Sequence, residues 1–236
     1  NEEPLYGPLY LPRKFKIAVA GTESDRAAIY FHDIGLQLIR NPAGEIGFKV
    51  LVGGGLGRTP VIGSVIREYL PEQDILTYLE AILRIYNLYG RRDNKFKARI
   101  KILVRALGPE EFARKVEEEW EQLRHSASTL PSEEIQRAKS FFPDPAYNRT
   151  FDDVHVMAGI NSLRGEHKDF ANWLSHNVQP HKVPGYRAVT LSLKFTGVPP
   201  GDLTDRQLEI IADLADRYSF GEVRTTHNQN MVLADV

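Results

Sequence analysis

The chain has 236 residues, 42% hydrophobic and 26% charged, the balance of an ordinary globular protein with length for one large or two small domains. A net charge of −1 gives no global pull toward nucleic acid or a membrane surface, so any anion site has to come from local clustering of cations. With no cysteine, the chain itself cannot form disulfides, thiolate metal sites or iron–sulfur ligation, and no apolar run is long enough to span a bilayer.

Residues 1–12, rich in Pro, Gly and Tyr, read as an extended leading segment, and no leader pattern opens the chain, so the expected location is cytoplasmic. From Arg13 to Ala20 the alternation predicts a strand, with Phe15, Ile17 and Val19 on one face and Lys14 and Lys16 on the other. Asp33 to Arg40 is a second apolar run, Asn41-Pro42-Ala43-Gly44 a turn, and Ile46 to Val52 a buried strand ending in Gly53-Gly54-Gly55-Leu56-Gly57. A helix is expected over Pro60 to Tyr69. Another begins at Pro71 with Ile75, Leu79, Ile82, Leu83 and Tyr86 on one stripe. Phe96, Ile100, Leu103, Val104 and Leu107 predict the apolar face of a third helix, stopped by Gly108-Pro109, and Glu110 to Leu123 a fourth, charged and mostly exposed.

Ser126 to Asp153 reads as a linker with a short helix near Glu133 to Lys139, which divides the chain into domains at 1–148 and 149–236. In the second, Tyr186 to Phe195 alternates as a strand with Val189, Leu191, Leu193 and Phe195 inward. Thr204-Asp205-Arg206-Gln207 is a capping-box pattern, and Leu208, Ile211, Ala212, Ala215 and Tyr218 follow as a helical stripe. Two short strands, Glu222 to Thr225 and Met231 to Ala234, flank Thr226-His227-Asn228-Gln229-Asn230. The unit reads β-α-β-β, and the expected class is α+β: an α/β domain, then a ferredoxin-like half-domain.

Four features could carry chemistry. Lys14 and Lys16 stand roughly 7 Å apart on one strand face, so they form either a solvated face or a site for a small anion that relieves their repulsion. The run Gly53-Gly54-Gly55 fits neither a dinucleotide fingerprint nor a P-loop; it suits backbone meeting a flat ligand or another chain segment. Lys97, Lys101 and Arg105 are four apart on the expected third helix with no acid among them, which suits a polyanion or an ordinary polar face. Asn228, Gln229 and Asn230 occupy a tight connection, as turn residues or as amide donors to a ligand. The seven histidines make no metalloprotease pattern, and no nucleophile elbow occurs.

In combination, Tyr10-Leu11-Pro12-Arg13-Lys14-Phe15-Lys16, the run ending Val52-Gly53-Gly54-Gly55-Leu56, the basic stretch Lys97 to Lys101 and Thr226-His227-Asn228-Gln229-Asn230, in that order, resemble the sirohaem-dependent sulfite/nitrite reductase family. The resemblance implies six-electron reduction of sulfite to sulfide, or of nitrite to ammonia, at sirohaem coupled to a 4Fe-4S cluster, with electrons from ferredoxin or a flavoprotein reductase. It implies that Lys14 and Lys16 face the substrate, and that Lys97, Arg99 and Lys101, with Arg13, pair with the polycarboxylate cofactor. Gly53, Gly54 and Gly55 would meet the macrocycle, and Asn228, Gln229 and Asn230 its edge. Nitrite-reducing members tend to carry an amide at the second lysine; Lys16 favours sulfite. Without cluster cysteines the chain resembles an internal fragment, expected to be inactive alone, to hold no cofactor by itself and to self-associate, with no nucleic-acid or membrane partner. A polyanion-binding module is the competing reading; near-neutral charge and the lack of interleaved aromatics stand against it.

Overall fold

The computed structural model describes residues 10–126, 129–150 and 152–236. Most of the leading segment, residues 1–9, lies outside them. The chain forms two compact units that divide between Phe142 and Pro143.

The first unit is built on a sheet of β1 (Ile17–Ala20), β2 (Ile34–Arg40), β3 (Ile46–Val52) and β4 (Ser64–Pro71), in that spatial order. β1 runs parallel to β2; the other pairs are antiparallel. The β2–β3 hairpin closes where the sequence marks a turn. There Asn41 Oδ1 accepts from Ala43 N (3.0 Å) and Glu45 N (2.9 Å), and Gly44 supplies a positive φ. Helices α1 (Ile75–Tyr89), α2 (Ile100–Leu107) and α3 (Pro109–Leu123) cover one face, where Val50, Val52 and Leu70 pack with Tyr78, Ile82, Val104 and Phe112. Among the described residues the other face carries a small cluster of Ala20, Ile29 and Leu51. Ile17 and Val19 lie in register with Ile34 and Leu36 on the helix side, yet β1 is the sheet edge and they remain 40% and 54% exposed. Helix α4 (Ser132–Ser140) follows, as expected near Glu133 to Lys139, and buries none of its residues.

Four expectations are corrected here. The strand expected from Arg13 begins only at Ile17, so Lys14 and Lys16 precede β1 instead of sharing a strand face. The segment Pro60 to Tyr69 is no helix: β4 occupies its second half, paired with β3 from Leu70 opposite Phe48 to Ser64 opposite Val52. A proline followed by mixed apolar residues suits a helix start or a strand equally; pairing with a buried neighbour decides it. The third helix starts at Ile100, with Phe96 74% exposed, so Lys97 precedes it and shares no helical face with Lys101 and Arg105. α3, though charged, buries Phe112, Val116, Trp120 and Leu123.

The second unit holds α5 (Asp153–Glu166), α6 (Lys168–Asn177), β5 (Val178–Pro180), β6 (Arg187–Leu191), α7 (Asp205–Tyr218), β7 (Arg224–Thr225) and β8 (Met231–Leu233). Its sheet runs β5-β6-β8-β7, all pairs antiparallel. The β-α-β-β pattern is present as β6-α7-β7-β8, while α5, α6 and β5 were not anticipated. The Thr204–Gln207 capping box forms in both directions at the start of α7. Of the expected α7 stripe only Ile211 and Ala215 are buried; Leu208 and Tyr218 are 46% and 50% exposed. β6 stops at Leu191, and Phe195, expected inward, is 80% exposed.

Trp120 ties the helical layer together. It is buried, donates Nε1–H to Thr77 Oγ1 (3.0 Å) and meets Tyr78 edge to face at 5.5 Å. Trp120→Ala is expected to cost about 3–5 kcal/mol in urea unfolding followed by circular dichroism; a loss below about 1 kcal/mol would refute this role.

Candidate functional site

Four chain segments meet at Asp33, the residue before β2. Its side chain is fully buried. Oδ2 accepts the backbone N–H of Lys16 (2.9 Å), and the Arg99 guanidinium closes on both oxygens, Nε to Oδ1 at 3.0 Å and Nη2 to Oδ1 and Oδ2 at 2.7 and 2.6 Å. The Asp33 carbonyl accepts from Gly53 N (2.9 Å), and Ile34 N donates to the Lys16 carbonyl (3.0 Å). The chain ahead of β1, the start of β2, the end of β3 and the N-cap of α2, which is Arg99, are thereby joined.

Tyr86 on α1 makes a second clamp. Its buried hydroxyl donates to Ala98 O (2.6 Å), with Arg13 O at 3.1 Å. Burial, followed by the nearby Asp33 charge, pushes the phenol up to about 12. Arg13 in turn donates Nη1–H to Lys95 O (2.9 Å), and Arg92 Nη2–H to Tyr10 O (3.0 Å). Lys14 and Lys16 leave this clamped segment into solvent, and among the described residues neither forms an ion pair. A groove of about 440 Å³ opens beside Lys14, lined by Tyr10, Leu11, Arg13 and Phe15.

The three glycines serve the protein's own packing. A Cβ on Gly54 would lie 2.3 Å from Tyr30 O and 2.6 Å from His32 O; one on Gly53, which has φ +89°, would lie 3.0 Å from Val104 Cβ. Gly55 pairs with Val61 by two bonds of 2.9 Å, and a Cβ there would press on the Lys101 side chain at 3.0 Å. Of the two roles their run suggested, the close approach of another chain segment is present. Lys101, expected at the cofactor, is buried and donates to Thr59 O (2.8 Å) and Leu56 O (3.3 Å), holding the loop after Gly55 against α2. Arg99, also expected at the cofactor, is committed to Asp33. Lys97 is exposed in the turn before α2.

Asn228, Gln229 and Asn230 lie on the second unit, in the β7–β8 turn. Asn230 Oδ1 accepts from Lys194 Nζ (2.7 Å) and Leu193 N (3.2 Å), Lys194 also donates to Asn228 O, and Gln229 Nε2 donates to Pro200 O (3.2 Å). The turn is therefore pinned to the loop after β6, with the Asn228 side chain left exposed. Sequence reading missed Asp33 and Tyr86 as organisers; Asp33 carries a local signal only as a charged residue opening an apolar run.

Two outcomes follow. Gly54→Ala should lower the melting temperature by several degrees, since backbone oxygens leave no room for a methyl group; a melting curve matching the parent would contradict the packing described. In Tyr86 the folded state holds the proton more tightly than the unfolded chain, so stability should fall as pH rises from 10.0 through about 12. Denaturant unfolding across that range checks this, and Tyr86→Phe should flatten the decline; an unchanged slope would refute it.

Residues 1–123 match the family model described as Nitrite and sulphite reductase 4Fe-4S domain, and residues 176–236 that described as Nitrite/Sulfite reductase ferredoxin-like half domain. The sulfite reductase (NADPH) hemoprotein beta-component of Staphylococcus epidermidis is 41% identical over 115 residues, 46% of this chain and 20% of that protein. The sulfite reductase (NADPH) subunit beta of Saccharomyces cerevisiae is 39% identical over 127 residues, 50% of this chain and 9% of that protein. The chain thus spans about a fifth or less of the length of these relatives. The solved structure of the Mycobacterium tuberculosis NirA protein shares its fold, with a TM-score of 0.61 over 96% of this chain and 34% of that one, at 24% identity. With the first model covering more than half of the residues and the second following it in order, the chain belongs to the nitrite and sulphite reductase family.

Proposed function

We propose that this chain forms the oxyanion-facing part of a sulfite reductase, in which Lys14 and Lys16 hold sulfite and deliver protons as it is reduced by six electrons to sulfide. One observation carries the reading: two exposed ammonium groups, without ion-pair partners among the described residues, project from the segment ahead of β1, whose backbone is clamped at Asp33 and Tyr86. Two neighbouring cations repel each other, and a small anion between them relieves the repulsion. The doubly charged sulfite gains more from such a pair than nitrite does, and the ammonium protons are suited to oxygens that leave as water.

Sirohaem, when bound, would supply the iron at which the oxyanion is reduced. The donor set on this chain fits a polycarboxylate: Lys97 is exposed and forms no ion pair among the described residues, and Lys14 is exposed on the same unit. Arg99 and Lys101 would act indirectly, by holding Asp33 and the loop after Gly55. Asn228, Gln229 and Asn230 would offer amides at the macrocycle edge. The 4Fe-4S cluster does not fit, because none of the 236 residues is a cysteine. Ferredoxin or a flavoprotein reductase would deliver electrons.

Titrating the purified chain with sirohaem tests the cofactor reading. A saturable absorbance change, weakened by Lys14→Glu/Lys97→Glu, is expected; binding unaffected by that double change would remove these lysines from the site. In the cofactor-loaded reductase, Lys16→Asn should lower kcat/KM for sulfite about a hundredfold and for nitrite far less. Equal losses for both anions would leave Lys16 without a part in substrate choice.

A further inference from the structure

We infer that Asp33 is a positioning residue, whose buried carboxylate sets the place of the Lys16 ammonium by holding the Lys16 peptide against Arg99. The inference rests on the reading of Lys16 as a substrate-facing group.

The Lys16 peptide is fixed on both sides, with its N–H on Asp33 Oδ2 at 2.9 Å and its carbonyl on Ile34 N at 3.0 Å. A side-chain oxygen thus takes a place in the pairing that backbone would ordinarily fill. Asp33 is completely buried and Arg99 largely so, and the pair joins residues 66 apart in sequence. A buried ion pair adds little net stability over an apolar pair of the same volume, so its value here is in fixing geometry. The guanidinium presents two nitrogens to the carboxylate, which leaves the carboxylate one orientation and fixes Oδ2 toward Lys16. The segment ahead of β1 leads into an edge strand, so without this contact Lys14 and Lys16 would sit on a loosely held stretch of chain.

The test is a double-mutant cycle of Asp33→Asn and Lys16→Ala, read as kcat/KM for sulfite in the cofactor-loaded reductase and as hydrogen exchange at the Lys16 amide in the chain itself. Asp33→Asn should lower kcat/KM roughly tenfold with Lys16 present and less than about twofold with Lys16→Ala, since an anchor acting through Lys16 has nothing left to place. The Lys16 amide should exchange about tenfold faster in Asp33→Asn, with the α1 amides unchanged. If the single variant does not fold, Asp33→Asn/Arg99→Gln removes both buried charges and carries the same comparison. Additive losses, or an unchanged Lys16 exchange rate, would overturn the inference and leave the proposed role of Lys16 intact. If Lys16→Ala itself costs nothing, that role fails first and the inference falls with it.

Discussion

The first unit is organised by one buried carboxylate. Asp33 gathers the charged and backbone donors of Arg99, Lys16 and, through its carbonyl, Gly53. A charge at zero exposure is tolerable only where hydrogen bonds replace its lost water, and here they come from segments far apart in sequence. The demand for full pairing selects where the start of α2 and the chain ahead of β1 can lie. Without it the helical layer would still cover its face of the sheet, but the lysine-bearing segment would lose its anchor.

What could be read from the sequence was what local chemistry decides. The Asn41 turn, the strand Ile46 to Val52, the apolar stripe of α1 and the capping box of α7 each rest on residues within one or two turns of one another, and each is present. The misread elements depend on partners elsewhere. Ser64 to Pro71 becomes a strand because β3 offers it a ladder, and α5, with weak apolar periodicity, gave no pattern to follow. The site was legible as residue types and not as wiring: Lys14 and Lys16 stood out as a closely spaced pair of cations, whereas the partner of Arg99 lies 66 positions away and has no signature of its own.

The glycine run shows how one motif serves two plausible ends. Its sequence suits approach by a flat ligand or by another stretch of chain. The carbonyls of Tyr30 and His32 and the side chains of Val104 and Lys101 already fill the space that the missing Cβ atoms leave. Lys101 extends the same principle: a buried ammonium satisfied by two carbonyls makes a loop rigid where a charge would otherwise seek solvent. Cations at this end of the unit thus divide into those that build the frame, Arg99 and Lys101, and those that remain available, Lys14, Lys16 and Lys97.

The bonds that place the lysine-bearing segment span 17, 73 and 82 positions of chain. Bonds between segments that far apart form only where the fold brings them together, so the position of this segment depends on the rest of the unit. A peptide cut from this region would carry both ammonium groups and none of their geometry. The charged pair is thus a property of the folded unit as a whole, and its integrity reports on whether folding has gone to completion.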